Sequence, residues 1–326
     1  MAIIKVTCSE LPLWGQLEDG AKKWGNNVFV FNNPNVKECD YWFIADTYGL
    51  FDDNEAFCPK EHVYLMMGET EAICTYENSY VKQFKNIISV QNKDYNVENT
   101  IRWYLAPWFV GFKFGENGVD MKHHKTYMEL QRIEAIEKKK LISVVSSNKT
   151  MCEGHRKRLE FVERLKDEFG NQIDIFGRGI NSFEDKWDVL ADYKYHIAIE
   201  NAAVDDYITE KFLDPVLALS YPIYYGAPNI GKYYNGNSFT SIDIYNPGQA
   251  VRIIKQILET DNFYEEHLSG LMNARRLILN DYNMFNKISE FVQQNKGEFE
   301  PVRVKIHKGY RGMVGDFVRR CFRWIN

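Results

Sequence analysis

Short apolar runs bounded by turn-forming residues punctuate the first half of the chain, at residues 3–8, 28–31, 41–45, 63–67 and 87–90. Runs of this length without polar alternation predict strands covered on both faces. Residues 121–140 follow with apolar positions at helical spacing and a closing lysine run, which suits the negative end of a helix; this stretch predicts a helix connecting two halves. The second half repeats the alternation. Strands are predicted at residues 141–145, 173–176, 195–199, 223–225 and 239–244, and helices at about 153–168, after 209, and at 249–259. Alternation of this kind predicts an α/β protein with parallel sheets and right-handed crossovers.

Chemistry concentrates at residues 195–226. The apolar strand stops at Glu200-Asn201, an acidic turn Asp205-Asp206 follows, and a helix begins around Thr209, Glu210 and Lys211. Unpaired backbone N–H groups at a helix start, with a lysine beside them, form an anion site. Glu210 adds acceptor oxygens suited to sugar hydroxyls. A phosphate cradle beside a carboxylate fits a nucleotide-sugar enzyme. Asp214-Pro215 interrupts the helix and predicts a kinked or shortened element.

The ordered series Glu200, Asn201, Tyr207, Thr209, Glu210, Lys211, Pro222 and Gly226 resembles the donor-binding signature of the α-1,3-fucosyltransferases, glycosyltransferase family 10. The resemblance implies a GT-B fold, two Rossmann-like domains facing across a cleft, with GDP-fucose as donor. Residues 1–120 are then expected to form an acceptor-binding domain, 121–140 the connecting helix, 141–300 the GDP-sugar domain and 301–326 a tail. In open α/β sheets ligands sit beyond the carboxyl ends of strands, where Glu200-Asn201 and the run of Ser146, Ser147 and Asn148 both fall. The stretch from Ser147 and Asn148 to Phe161-Val162 is similar to the family's diphosphate-gripping segment. Counting back places that role on Arg158, with Arg156 and Lys157 as alternatives. Gly68-Glu69, ending the predicted strand 63–67, resembles the family's strand-Gly-Glu base, with Glu71 as the alternative.

The implied reaction is a single displacement with inversion. Glu69 takes the acceptor proton, and Arg158 and Lys211 stabilise the charge developing on the departing diphosphate. Glu210 holds fucose hydroxyls, while Tyr207, Glu200, Asn201, Thr209, Ser147 and Asn148 shape the donor site. The acceptor is expected to be an oligosaccharide, the 3-OH of an N-acetyllactosamine-like or lipopolysaccharide glycan. Loop aromatics including Trp103, Trp108 and Phe109 are expected to set that choice. A transferase of another GDP-sugar and a non-catalytic glycan- or nucleotide-binding module are the other readings.

Composition narrows the field. The 326 residues are 45% hydrophobic and 26% charged, as in a soluble globular protein, and suffice for two domains. A net charge of −5 argues against a nucleic-acid binder. No stretch is apolar enough to span a bilayer, and the N-terminus does not read as a signal peptide. Six scattered cysteines lack metal or disulfide spacing, which together predicts a cytoplasmic protein, as in a bacterial relative. The acidic runs at 51–55 and 205–206 read as a solvated loop and a helix start. No obligatory metal is expected, although a divalent cation can stimulate. The segment 303–326 is basic with an apolar stripe at helical spacing, fitting either an anionic membrane surface or a last helix docked on the body.

Overall fold

The computed structural model describes residues 1–8, 13–45, 53–104, 106–115, 118–120, 125–148, 150, 152–177 and 179–307. The first half builds on β1 (Ile3–Thr7), β2 (Lys23–Trp24), β3 (Asn27–Phe31), β4 (Tyr41–Ala45), β5 (Glu55–Cys58), β6 (Val63–Met67), β7 (Asn86–Ser89) and β8 (Asn99–Arg102), with a short helix α1 (Asn78–Val81). The hairpin β9 (Lys113–Gly115) and β10 (Gly118–Asp120) and helix α2 (Tyr127–Arg132) lead out of it. One sheet runs β2-β3-β1-β4-β6-β7-β8, parallel except at the β2 edge.

The second half holds β11 (Lys140–Val145), α3 (Glu153–Phe169), β12 (Ile173–Phe176), β13 (Tyr193–Ile199), α4 (Glu210–Leu217), β14 (Tyr221–Tyr225), β15 (Thr240–Ser241), α5 (Pro247–Glu259), α6 (Phe263–Leu279), α7 (Met284–Gln294) and β16 (Val302–Lys305). Its sheet is wholly parallel in the order β12-β11-β13-β14-β15. Chain order reverses between β11 and β13, so their carboxyl ends diverge and leave a crevice. The first sheet has the same reversal between β1 and β4. Two such Rossmann-like halves with their carboxyl edges toward each other are the GT-B arrangement.

Several expectations need correction. The connecting helix covers only Tyr127–Arg132 among the described residues of 121–140. It opens with a Thr126–Glu129 capping box. It stops because Arg275 donates to the Leu130 and Ile133 carbonyls that a further turn would use. The lysine run is no helix end either. Lys138 donates to the carbonyls of Ala191 and Ala218, both at 2.7 Å, and Lys140 starts β11.

The expected boundary at 300 also shifts in effect. α7 buries Met284, Phe285, Ile288 and Val292 among Phe29, Phe43 and Tyr64 of the first sheet, and β16 pairs antiparallel with β5. The chain therefore returns to the first half before residue 300. Within the acidic loop expected to be solvated, Asp53 is buried instead, paired with buried Lys5 at 2.6 Å and accepting from Thr7 at 3.0 Å. The amphipathic stretch of the tail lies outside the described residues. Among those described, no helix is long and apolar enough to cross a membrane.

Candidate functional site

The crevice between β11 and β13 is closed by one arginine. Arg158, on the first turns of α3 and 4% exposed, donates to Asn201 Oδ1 at 2.6 Å and to Ser147 Oγ at 3.0 Å. It ties together the ends of the two strands that diverge. Burial lowers its pKa, and nearby acids including Glu200 and Glu210 oppose that shift. Its Nε, also buried, has no hydrogen-bond partner among the described residues. Cys152, the residue before α3, makes no side-chain cap among the described residues. Two glycines make the approach possible. A Cβ on Gly154 would sit 1.8 Å from the Asn201 carbonyl oxygen, and one on Gly177, whose φ is +146°, 1.6 Å from that of Ser146. Asn148 is exposed beside Gly179.

The second anchor is α4. Thr209 is its N-cap, accepting from the Lys211 N–H. Glu200, at the end of β13, is fully buried and accepts from the Thr209 N–H at 2.8 Å and from its hydroxyl at 2.8 and 2.9 Å. Lys211 Nζ lies 3.6 Å from Glu200 and 3.1 Å from Glu210. Burial would raise the Glu210 pKa. The charges of Lys211 and Lys186 outweigh it and hold Glu210 down at about 2. Burial would lower that of Lys211, but the charges of Glu210, Glu200 and Glu69 raise it. The helix start therefore holds a fixed carboxylate and a fixed ammonium, both partly open to the cleft.

The third component comes from the other half. Glu69 follows β6 at the carboxyl edge of the first sheet, and its carboxylate accepts from the Tyr207 hydroxyl at 2.9 Å. Glu71 accepts from the Lys93 N–H at 2.7 Å, away from that contact. Arg158, Asn201 and Ser147 are thus joined, as are Glu200, Thr209, Glu210 and Lys211, and Tyr207 links Glu69 to them.

Three expectations change here. Glu200 and Tyr207 present almost no surface, so neither can touch a ligand as placed. Their hydrogen bonds hold α4 and Glu69 instead. Asp206 does not start the helix; it sits at φ +65° and binds across the cleft, as described below. Trp108, expected to read an acceptor, is 2% exposed with its indole N–H on the Lys125 carbonyl. Trp103 is packed among Tyr104, Tyr233 and Tyr282.

Sequence reasoning missed Lys186 and the role of Asp214. Asp214 is fully buried, 2.7 Å from Lys186 and accepting from the Phe109 N–H at 2.8 Å. Burial raises its pKa to about 6 against the opposing charge of Lys186. Its trace in the sequence is an acid inside the apolar run from Phe212 to Leu217, where a buried helix face tolerates one only when it is paired. Among the described residues, no group of three or more His, Cys, Asp or Glu is arranged to hold a metal ion.

Residues 135–286 match the family described as glycosyltransferase family 10 (fucosyltransferase), C-terminal. Over this segment the chain resembles a family 10 glycosyltransferase domain. The segment contains β11 through α6 and so carries Arg158, Asn201, Glu210 and Lys211, whereas Glu69 stands outside it. Named relatives match as well. The chain is 35% identical over 115 residues to α-(1,3)-fucosyltransferase B of Drosophila melanogaster, covering 34% of this chain and 25% of that protein. It is 31% identical over 118 residues to GDP-fucose protein O-fucosyltransferase 3 of Homo sapiens, covering 32% and 25%. The matches thus span about a quarter of these relatives' length. A solved α1,3-fucosyltransferase with GDP-fucose aligns over 86% of this chain and 90% of its own, with a TM-score of 0.49 and 18% identity.

Proposed function

We propose that the chain is an inverting fucosyltransferase that moves fucose from GDP-fucose to a hydroxyl of a glycan acceptor. The observation that carries this reading is the meeting of Glu69 from one sheet with the Arg158, Glu210 and Lys211 set of the other, through Tyr207. In this reading Lys211, and Arg158 through the little surface it keeps, meet the diphosphate at the N-termini of α4 and α3. A guanidinium fork and an ammonium can neutralise the leaving group as the C1–O bond breaks, so no metal ion is required, though a divalent cation can assist. Glu210, held ionised, accepts from fucose hydroxyls. Asn201, Ser147 and the exposed Asn148 line the donor side. Glu200 and Thr209 act one step back by fixing the α4 start.

On the other face, Glu69 takes the acceptor proton while the hydroxyl attacks C1. Attack opposite the departing diphosphate inverts the anomeric carbon. We take the acceptor as the 3-OH of an N-acetyllactosamine-like sugar or a related lipopolysaccharide glycan. A polypeptide hydroxyl is the second reading. It is favoured by the similarity to relatives named GDP-fucose protein O-fucosyltransferase 3.

The test is GDP release from GDP-fucose with N-acetyllactosamine or a peptide acceptor, with product masses measured. A product heavier by one deoxyhexose supports the reaction and identifies the acceptor class. Glu69→Gln should then lower kcat by roughly 10²–10⁴-fold, the usual contribution of a general base, with GDP binding retained. Full activity in that variant would remove Glu69 from the chemistry.

A further inference from the structure

The loop between β13 and α4 meets the other half at Asp205, Asp206 and Tyr207, and Asp206 is its charged contact. Asp206 is buried, and its carboxylate accepts from Asn229 Nδ2 at 2.9 Å and from the Tyr233 hydroxyl. Lys232 Nζ lies 3.6 Å from it. The remaining partner belongs to the other half: Arg102 Nε, from the last residue of β8, lies 3.5 Å from Asp206 Oδ2. The same guanidinium donates to the Asp205 carbonyl at 3.1 Å and to the Gln91 carbonyl. Burial alone would raise the Asp206 pKa, but its hydrogen bonds and the charges of Lys232 and Arg102 hold it below the usual aspartate range.

These contacts close a ring. Gln91 donates through Nε2 to the Glu69 backbone carbonyl at 2.8 Å. Tyr207, the residue after Asp206, donates to the Glu69 carboxylate at 2.9 Å. Arg102 therefore grips the loop that carries Tyr207 with one edge and the segment that holds the Glu69 backbone with the other. A guanidinium suits this because its planar fork can hold several acceptors at fixed angles.

We propose that Arg102 is a positioning residue: by locking the 205–206 turn and Gln91 together, it sets the Glu69 carboxylate against Tyr207 and faces it to the donor. In this role it acts through Tyr207 and Glu69 rather than on donor or acceptor. The role rests on the assignment of Glu69 as the base, and goes beyond it by naming what holds that base in place across the cleft. A displacement of about 1 Å at a reacting group commonly lowers turnover by on the order of 10²-fold.

Two readouts test it in Arg102→Ala, Arg102→Lys and Asp206→Asn. The first is hydrogen exchange at the Asp206, Tyr207 and Thr209 amides, which bond Asn229, Val204 and Glu200. Exchange there should quicken in Arg102→Ala and Asp206→Asn while β13 stays protected. The second is steady-state transfer. kcat should fall by about 10–100-fold with GDP affinity unchanged, Arg102→Lys should recover part of it, and the Arg102→Ala/Asp206→Asn pair should lose less than the sum of its parts. Unchanged exchange in the loop overturns the proposal, as does equal loss of kcat and GDP binding. If the wild-type protein never turns over GDP-fucose, the function proposed above fails, and the exchange measurement alone decides the latch. Should Arg102→Ala not fold, Asp206→Asn carries the same comparison.

Discussion

Gly154→Ala pits two opposed effects against each other, and their magnitudes decide the sign. Gly154 lies in the first turn of α3 at an ordinary helical φ, where alanine is normally better by about 1 kcal/mol. In this fold the new Cβ would meet the Asn201 carbonyl oxygen at 1.8 Å and its carbon at 2.9 Å. Carbon–oxygen contacts settle near about 3.3 Å, so backbone must retreat by roughly 1.5 Å. Both neighbours are backbone, with no flexible side chain to swing aside. Overpacking of this kind costs about 1–3 kcal/mol. The same retreat stretches the 2.6 Å bond from Arg158 to Asn201. Loss of a hydrogen bond to a charged group adds about 1.5–3 kcal/mol.

The net expectation is destabilisation of about 2–5 kcal/mol, together with weaker GDP binding because Arg158 is displaced. Urea unfolding followed by tryptophan fluorescence gives the first quantity, and calorimetric titration with GDP gives the second. Gly231→Ala is the control, since none of the described residues lies within 4 Å of its Cβ position. A Gly154→Ala protein as stable as the control, with wild-type GDP affinity, would refute the claim that Gly154 lets α3 dock on Asn201.

Two further perturbations probe the buried charges. Lys186→Met leaves Asp214 fully buried without its ion partner at 2.7 Å, and should destabilise by about 3–5 kcal/mol in urea unfolding; the double variant Lys186→Met/Asp214→Asn should recover part of this, and no recovery would contradict a pairwise interaction. His196 is fully enclosed, with Nδ1 2.8 Å from Ser143 Oγ. Burial first, then the charge of Lys186, lowers its pKa to about 3. The unfolded chain binds this proton at about pH 6.5 and the folded chain only near 3, so stability falls as pH drops between those values, by up to about 1.4 kcal/mol per pH unit. Asp214, with its pKa raised, works in the opposite direction between about pH 4 and 6. Wild type minus His196→Asn isolates the histidine, and parallel stability curves from pH 7 to 5 would contradict the assignment.

What was legible in the residues is what short-range physics controls. The central strands β4, β6, β13 and β14 are buried on both faces, so their apolar runs stand out without alternation. Glu200, Thr209, Glu210 and Lys211 were legible because a cap, a first turn and the strand before it lie within a dozen residues. The misreadings have a common cause. The lysine run at 138–140 matches a helix end locally, yet Lys138 answers to carbonyls 53 and 80 residues away. Asp53 looks solvated until Lys5 is placed beneath it. The match of Arg102 with Asp206 spans the cleft and leaves no periodic trace. Nor could burial of Glu200 and Tyr207 be read ahead, because it depends on how β14, α4 and the first sheet close over them.

That closure produces a charge conflict at Lys211, and from it comes a prediction with an unusual sign. In the structure Lys211 is already engaged, 3.1 Å from Glu210 and 3.6 Å from Glu200. On the proposed donor reading, an arriving diphosphate would compete with Glu210 for the ammonium and enter the field of a carboxylate held ionised, with its pKa at about 2. Glu200 cannot yield, since the Thr209 N–H and hydroxyl fix it. Glu210 can, and fucose hydroxyls would give it new partners that GDP alone lacks. Glu210→Gln removes one negative charge a few ångströms from the phosphates, worth on the order of 1–2 kcal/mol at an effective dielectric suited to a partly open site. GDP should then bind roughly 5–30-fold more tightly, while transfer from GDP-fucose falls because the sugar loses its acceptor. Titration with GDP and single-turnover transfer measured on the same preparation separate the two effects. Weaker GDP binding in Glu210→Gln would mean that Glu210 supports the phosphate site through Lys211, and its assignment to the sugar would fall.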